Sequence, residues 1–472
     1  MPDTGQKTSY DVAVIGAGSA GFSAAIAAAE KGAKVALIGY GTIGGTCVNV
    51  GCVPSKAMIR AVDITHAAKT ADRFDGVSAS ARVADWALMV AQKQALVDEL
   101  RGAKYEAVLQ NYPNVNYITG KAAFQANGSL LVGGQLIEAG KVIIATGARQ
   151  AVPEIEGMSE ISWLDSTSAL QLTAMPASLM IMGGGYIGVE IAQIFARAGC
   201  KVTIVTRHGL LPEAEPEVSA ALTEAFVAEG ITVLSGLAYQ SVAQDRTITL
   251  HTRKEGAALT VCAERLMLAT GRVANAESLN LAAAGIETDT QGGIIVNTKM
   301  QTSRTGIYAA GDVTGRDQFV YMAAYGAKLA ALHAMGVDGA PEYDNSTMPS
   351  VVFSDPQVAS VGLTQAQAQA MGLETVASVL GLEHVPRALA ARDTRGLIKL
   401  VAEKGSKKLL GAHIIAPEGA DSIQTAAMAL KMGMTYEALG AMIFPYLTTV
   451  EGLKLAAQTF EKDVEKLSCC AG

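Results

Sequence analysis

The sequence predicts an α/β protein made of two copies of a parallel strand–turn–helix–strand unit, followed by an α+β domain. Three observations carry this. A glycine-rich turn joins an apolar strand to a helix near residue 16 and again near residue 183. Each copy is later followed by a strand ending in Ala-Thr-Gly, at Ala145, Thr146 and Gly147 and at Ala269, Thr270 and Gly271. Beyond residue 346, short strands (350–353, 396–402, 409–415) alternate with helices (422–432, 453–467).

Composition bounds the rest. At about 150 residues per domain, 472 residues allow about three domains. Half of the residues are hydrophobic and the mean hydropathy is +0.27, enough for large cores and unlike a disordered chain. No apolar run reaches the roughly 18 residues of a spanning helix. The N-terminal stretch MPDTGQKTSY has no apolar signal core, so secretion is not expected. Thirty-seven basic against 44 acidic residues give a net charge of −7 with no long basic block. A nucleic-acid or anionic-membrane partner therefore has no electrostatic support. Six cysteines over this length cannot form a disulfide framework, which points to a cytoplasmic protein whose thiols are inert or reactive.

In the first unit, strand 10–15 leads into Gly16, Gly18 and Gly21, a helix to about Gly32 and a second strand at 34–38. This is the context in which GxGxxG has a mechanism. The first glycine makes the tight turn, the second lets backbone approach a pyrophosphate, and the third lets the helix pack on the strand. The helix N-terminus then presents free N–H groups and a positive dipole end to phosphates. The second unit repeats this with strand 179–182, Gly183, Gly185 and Gly188, a helix to about Ala198 and strand 201–205. One such motif is a weak signal. Two in context, each with an Ala-Thr-Gly strand end, predict two Rossmann-like dinucleotide-binding domains.

The two sites differ where the second strand ends, a place that usually carries an acid for the adenosine ribose. In the second unit Thr206 is followed by Arg207 and His208. A guanidinium fork suits a 2′-phosphate, which favours NADPH over NADH; the alternative is that Arg207 is a solvated turn residue. In the first unit the strand ends in Ile38, Gly39 and Tyr40, with neither acid nor cation, as expected of a weakened ribose contact.

Just beyond lies Gly44, Gly45, Thr46, Cys47, then Cys52 and Lys56. A CxxxxC pair can be structural, metal-binding or redox-active. Zinc sites usually draw four ligands, and no CxxC lies nearby, so a redox pair held against a cofactor ring reads better.

Together with residues 302–312 (TSRTGIYAAGD), these motifs resemble the pyridine nucleotide–disulfide oxidoreductases over essentially the whole chain. The resemblance implies FAD in the first site, at Gly16, Gly18, Gly21, Gly45, Thr46, Lys56, Thr146, Gly147 and Asp312. It implies NADPH in the second, at Gly183, Gly185, Gly188, Arg207, His208 and Gly271. Asp312 is expected by the flavin ribityl chain and Lys56 near the flavin, with Glu190 as its partner. The implied domains are a discontinuous FAD domain (1–150 and 272–345), an NADPH domain (151–271) and a dimerisation domain (346–472). Gly39 departs from the family pattern.

Dithiol-exchanging members carry His-Pro-Thr and a glutamate from the other subunit as their proton shuttle. Here the stretch 444–452 (FPYLTTVEG) has Tyr446 in the histidine's place, with Glu451 retained. With a phenol pKa of about 10, tyrosine is a poor shuttle near neutral pH. Cys469 and Cys470 stand just before the final Ala471 and Gly472. A thiol pair beside a free end suits capture of a soft cation. These two features resemble the mercury-reducing branch of the family, without the metal-carrying domain that often precedes its core. The resemblance implies an NADPH-dependent reduction of Hg(II) to Hg(0) in a homodimer. Cys469 and Cys470 of the partner subunit would pass the metal to Cys47 and Cys52, with Tyr446 as a further contact. A thioredoxin-reductase-like relay and a non-enzymatic metal scavenger are the rival readings.

Cys200, Cys262 and the methionines at 180, 182, 428, 432 and 434 are expected to be core packing. Trp163 stands where mercury-reducing members tend to carry a tyrosine, ahead of residues 166–170.

Overall fold

The computed structural model describes residues 8–466, so Cys469 and Cys470 lie outside the described residues. The chain divides into two compact units: residues 1–55, 90–151 and 271–345, and residues 56–89, 152–270 and 346–472.

The first unit opens with β1 (Thr8–Ile15), α1 (Ser19–Ala29) and β2 (Val35–Gly39). The short α2 (Gly45–Asn49) follows, then the long α3 (Cys52–Lys69), of which residues 52–55 belong to this unit, then β3 (Val115–Thr119) and β4 (Gln135–Ile144). The parallel order is β3, β2, β1, β4, with Ile307–Ala309 pairing parallel to the end of β4. Both faces of β1 are buried, which explains its unbroken apolar reading. Val12 and Val14 face the alanines of α1 and of helix Val320–Ala334, while Ala13 and Ile15 face the opposite core.

The second unit contains β5 (Ser178–Met182), α4 (Tyr186–Arg197) and β6 (Lys201–Val205), in a parallel sheet completed by Thr232–Leu234 and Arg265–Leu268. A three-stranded antiparallel sheet (Leu237–Gln244, Ile248–Lys254, Ala257–Ala263) packs with it around Met180, Met182 and Val205, and the half-buried Trp163 joins that core. The C-terminal part is a five-stranded antiparallel sheet in the order Ser350–Val352, Gln357–Gly362, Leu409–Ala416, Leu397–Glu403, Thr375–Gly381. Helices Gly419–Lys431 and Glu451–Gln458 pack in the same core. No described helix is long and apolar enough to cross a membrane.

Beside this sheet, the buried Arg197 guanidinium is paired with Glu229 at 2.6 Å and with Asp63 and Asp355 at 2.7 Å each, while Arg395 adds Asp355 at 3.1 Å. His66, Glu229 and Asp355 bring possible metal-ligand atoms together here, but the two arginines already occupy the carboxylates. The cluster is an ion-pair network, formed from positions too distant in the chain for any sequence pattern to announce.

Three expectations are corrected. Cys262 is exposed: among the described residues its strand pairs with Ile248–Lys254 alone, and alternation sends Val261 and Ala263 inward and Cys262 out. Met428 and Met432 are 63% and 79% exposed, because their helix buries Ala426, Ala427 and Ala429 instead. The last long helix ends at Gln458, where the chain turns to stack Phe460 on Tyr436 with ring centroids 4.2 Å apart. Met180, Met182 and Cys200 are buried.

Candidate active site

In the first unit the glycine turn is built as steric necessity. Gly16 has φ +119°, and a Cβ there would run into the Ala145 carbonyl; one at Gly21 would run into the Gly16 carbonyl. Gly18 caps α1 in extended conformation, with no described side chain capping the first-turn N–H groups. The CxxxxC segment lies directly on this turn. Gly44 bridges to Gly18, and a Cβ on Gly45 (φ +66°) would sit 2.6 Å from the Gly18 Cα. Glycine at 44 and 45 is thus what seats Cys47, in α2, and Cys52, at the start of α3, beside the turn; both cysteines are half-buried.

Tyr105, which no motif announced, closes this corner. Its hydroxyl is 3.1 Å from Ser19 Oγ, its ring meets Phe22 edge-on, and burial raises its phenol pKa, with Cys47 and Cys52 pushing the same way. Thr46 is exposed next to Cys47. Thr146 donates to the Asn275 carbonyl at 2.7 Å, and Gly147 (φ +71°) has no atom within 4 Å of its Cβ position. Burial raises the Asp312 carboxyl, and Arg272, 3.5 Å away, pulls it back down. Arg272 Nε is buried without a hydrogen bond to any described residue.

The second unit repeats the turn. Gly183 has φ +119°, and Cβ atoms at Gly183 and Gly188 would strike the Ala269 and Gly183 carbonyls, while Gly185 faces open space. Gly184 is required as well, since its Cβ would meet the Gly209 carbonyl. Gly271 (φ +103°) has nothing within 4 Å. Arg207 and His208 are exposed past the end of β6. The Arg207 guanidinium lies 5.4 Å from the Tyr239 ring centroid, and the Tyr239 hydroxyl donates to the Val205 carbonyl at 2.9 Å. Tyr239 is a second residue the motifs did not reveal; it ties the strand end to the platform beneath Arg207.

Lys56 Nζ donates to both carboxylate oxygens of Glu190, at 2.8 and 2.7 Å, and Glu190 also accepts the Phe353 N–H at 3.0 Å. Farther along, Tyr446 is exposed and Leu447 holds φ +62°. The buried Glu451 accepts the Leu447 N–H at 3.2 Å, so its carboxylate anchors the loop that presents Tyr446.

Two glycine turns, each opening a helix and one of them carrying a CxxxxC pair, define a dinucleotide-dependent redox enzyme. The chain belongs to the pyridine nucleotide–disulphide oxidoreductase family: the family model matches residues 10–331, and the family's dimerisation domain matches residues 348–457. It is a flavoprotein oxidoreductase, of a family whose cofactors are FAD and NADPH. The relatives it resembles over nearly its whole length are mercuric reductases. One from Shigella flexneri is 46% identical over 99% of this chain and 84% of that protein. One from Streptomyces lividans is 43% identical over 98% of this chain and 99% of that protein. Among solved structures, the Cu(II) complex of the HOCl-induced flavoprotein disulfide reductase RclA from Escherichia coli matches with a TM-score of 0.84. It is 29% identical and covers 96% of this chain and 100% of that one.

Proposed function

We propose that the chain catalyses NADPH-dependent reduction of Hg(II) to Hg(0), taking the metal as a thiol complex. The observation that carries the reading is the seating of Cys47 and Cys52 on the first glycine turn, combined with Tyr446 where a disulfide reductase needs a base. FAD held at Gly16, Gly18, Gly21, Gly45, Thr46, Thr146, Gly147 and Asp312 would supply two-electron transfer between NADPH and the thiol-bound metal.

The protein's own part is ligand exchange and charge control. Cys469 and Cys470 of the partner subunit take Hg(II) from two small thiolates, releasing two thiols, and pass it to Cys47 and Cys52 in the same way. Mercury stays at least two-coordinate, bound to soft sulfur throughout. Two electrons then convert the bis-thiolate complex to Hg(0) and free both cysteines: Hg(II) bis-thiolate, NADPH and one proton become Hg(0), two thiols and NADP⁺. Lys56, one helical turn beyond Cys52 and held by Glu190, favours the thiolate form of Cys52. Glu451 holds the loop of Tyr446, whose hydroxyl offers the metal a passing contact. Arg207, with His208 beside it, reads the 2′-phosphate, while Gly183, Gly185, Gly188 and Gly271 let NADPH approach backbone.

The enzyme is a cytoplasmic homodimer in this reading. Support for pairing is the exposed apolar set Met428, Met432, Met442 and Ile443, the last 97% exposed, within the residues matched by the dimerisation domain. The test is NADPH oxidation in excess thiol. Hg(II) should stimulate it; no stimulation together with rapid reduction of a thioredoxin disulfide would replace the reading with a disulfide reductase.

A further inference from the structure

The first glycine unit lacks the acid that usually receives the adenosine ribose, and the structure contains a reason. A Cβ on Gly39, the last residue of β2, would lie 2.7 Å from the Ala17 Cβ and 2.9 Å from the Tyr117 hydroxyl. No side chain fits there unless its neighbours move, so an acid at position 39 would have to displace Ala17 and the Tyr117 hydroxyl. Tyr117 reaches this place from β3, where it pairs with Leu37 and so lies on the face that Gly39 shares two residues on. Its hydroxyl makes no hydrogen bond with any described residue, although the ring is half-buried against the α1 core. Tyr117 also lines a cavity of about 510 Å³ whose wall includes Gly41, Thr42 and Thr119, just past the carboxyl ends of β2 and β3. That is where a ligand of an open parallel sheet sits. Glu106 lines the same cavity but is exposed and lies 3.6 Å from Arg101 Nε, so its charge is already answered.

We infer that Tyr117 is the ribose-reading residue of the FAD site, its hydroxyl hydrogen-bonding an adenosine ribose hydroxyl in place of the missing carboxylate. The inference rests on the flavin half of the proposed function. A neutral hydroxyl gives a weaker ribose contact than a carboxylate, because hydrogen bonds to charged groups are the stronger ones.

The test is FAD binding to the apoprotein, followed by flavin fluorescence quenching, with FAD and its 2′-deoxyadenosine and 3′-deoxyadenosine analogues. The native protein should bind one deoxy analogue about tenfold more weakly than FAD. Tyr117→Phe should bind FAD about tenfold more weakly and lose that discrimination. Equal native affinities for FAD and both analogues would overturn the inference without needing any variant. So would Tyr117→Phe retaining native FAD affinity, or weakening FAD and both analogues equally. A native apoprotein that bound no FAD would instead sink the flavin reading itself.

Discussion

Lys56 and Glu190 form a two-pronged ion pair: the ammonium donates to both carboxylate oxygens, at 2.8 and 2.7 Å. They are 134 residues apart, and Glu190 is buried in α4. Burial makes the carboxylate dependent on its partners, and a second one, the Phe353 N–H, fixes the backbone just past the first strand of the C-terminal sheet.

Glu190→Ala therefore removes an acceptor from two donors at once. The expected loss is about 2–3 kcal/mol of unfolding free energy, read as a lower urea midpoint, together with a weaker long-wavelength thiolate–flavin band in the two-electron-reduced protein. A full-strength band would remove Lys56 from any role at Cys52.

Arg207 stands over Tyr239, and Tyr239 is tied to the end of β6, so the two should act together on coenzyme choice. Arg207→Glu is expected to raise the KM for NADPH by about 100-fold while changing that for NADH far less, since a charged hydrogen bond becomes a repulsion. Tyr239→Leu, which leaves the guanidinium in place but unsupported, should give a smaller effect of the same kind. Equal effects on both coenzymes would show that Arg207 does not read the 2′-phosphate.

Acid should weaken the fold as two buried histidines are driven to take up protons. Burial holds His66 and His413 below the ordinary histidine value of 6.5, and His66 Nε2 and His413 Nδ1 are buried without hydrogen bonds among the described residues. The unfolded chain takes up protons near that ordinary value which the folded chain refuses, so it binds more protons in the window just beneath. Stability is then complete above about pH 6.5 and declines as the pH falls towards the depressed folded values. Urea midpoints should drop between about pH 7.5 and about pH 5.5, and His413→Gln should flatten that slope. A native midpoint that does not move would contradict the burial account.

Cys469 and Cys470, outside the described residues, are expected to matter for delivery alone. Replacing both with alanine should cripple turnover of Hg(II) held by thiols yet leave flavin reduction by NADPH unchanged in stopped flow. An equal fall in flavin reduction would make the tail structural.

Much of the fold was legible because its signals are local. The glycine turns, the apolar strands buried on both faces and the CxxxxC segment each declare themselves within a dozen residues. Lys56–Glu190 was reachable only through the family resemblance. Tyr105, Tyr117 and Tyr239 were not legible, since each acts on a site from a strand or helix distant in sequence, and a tyrosine in such a segment reads as packing. The Arg197 network was hidden for the same reason. Cys262, Met428 and Met432 misled in the opposite direction: apolar residue types sit on outward positions of a sheet edge and a helix that the helix-or-strand reading alone cannot orient. Gly39 read as a simple loss of a contact, and the Ala17 Cβ and Tyr117 hydroxyl beside it give that loss a physical cause.

The central claim concerns where two electrons go. The direct measurement is mercury vapour evolved per NADPH consumed, made anaerobically with Hg(II) in excess thiol and the purified protein. One Hg(0) released for each NADPH oxidised is the predicted result. NADPH consumption without volatile mercury, with the electrons recovered in a reduced disulfide instead, would contradict it.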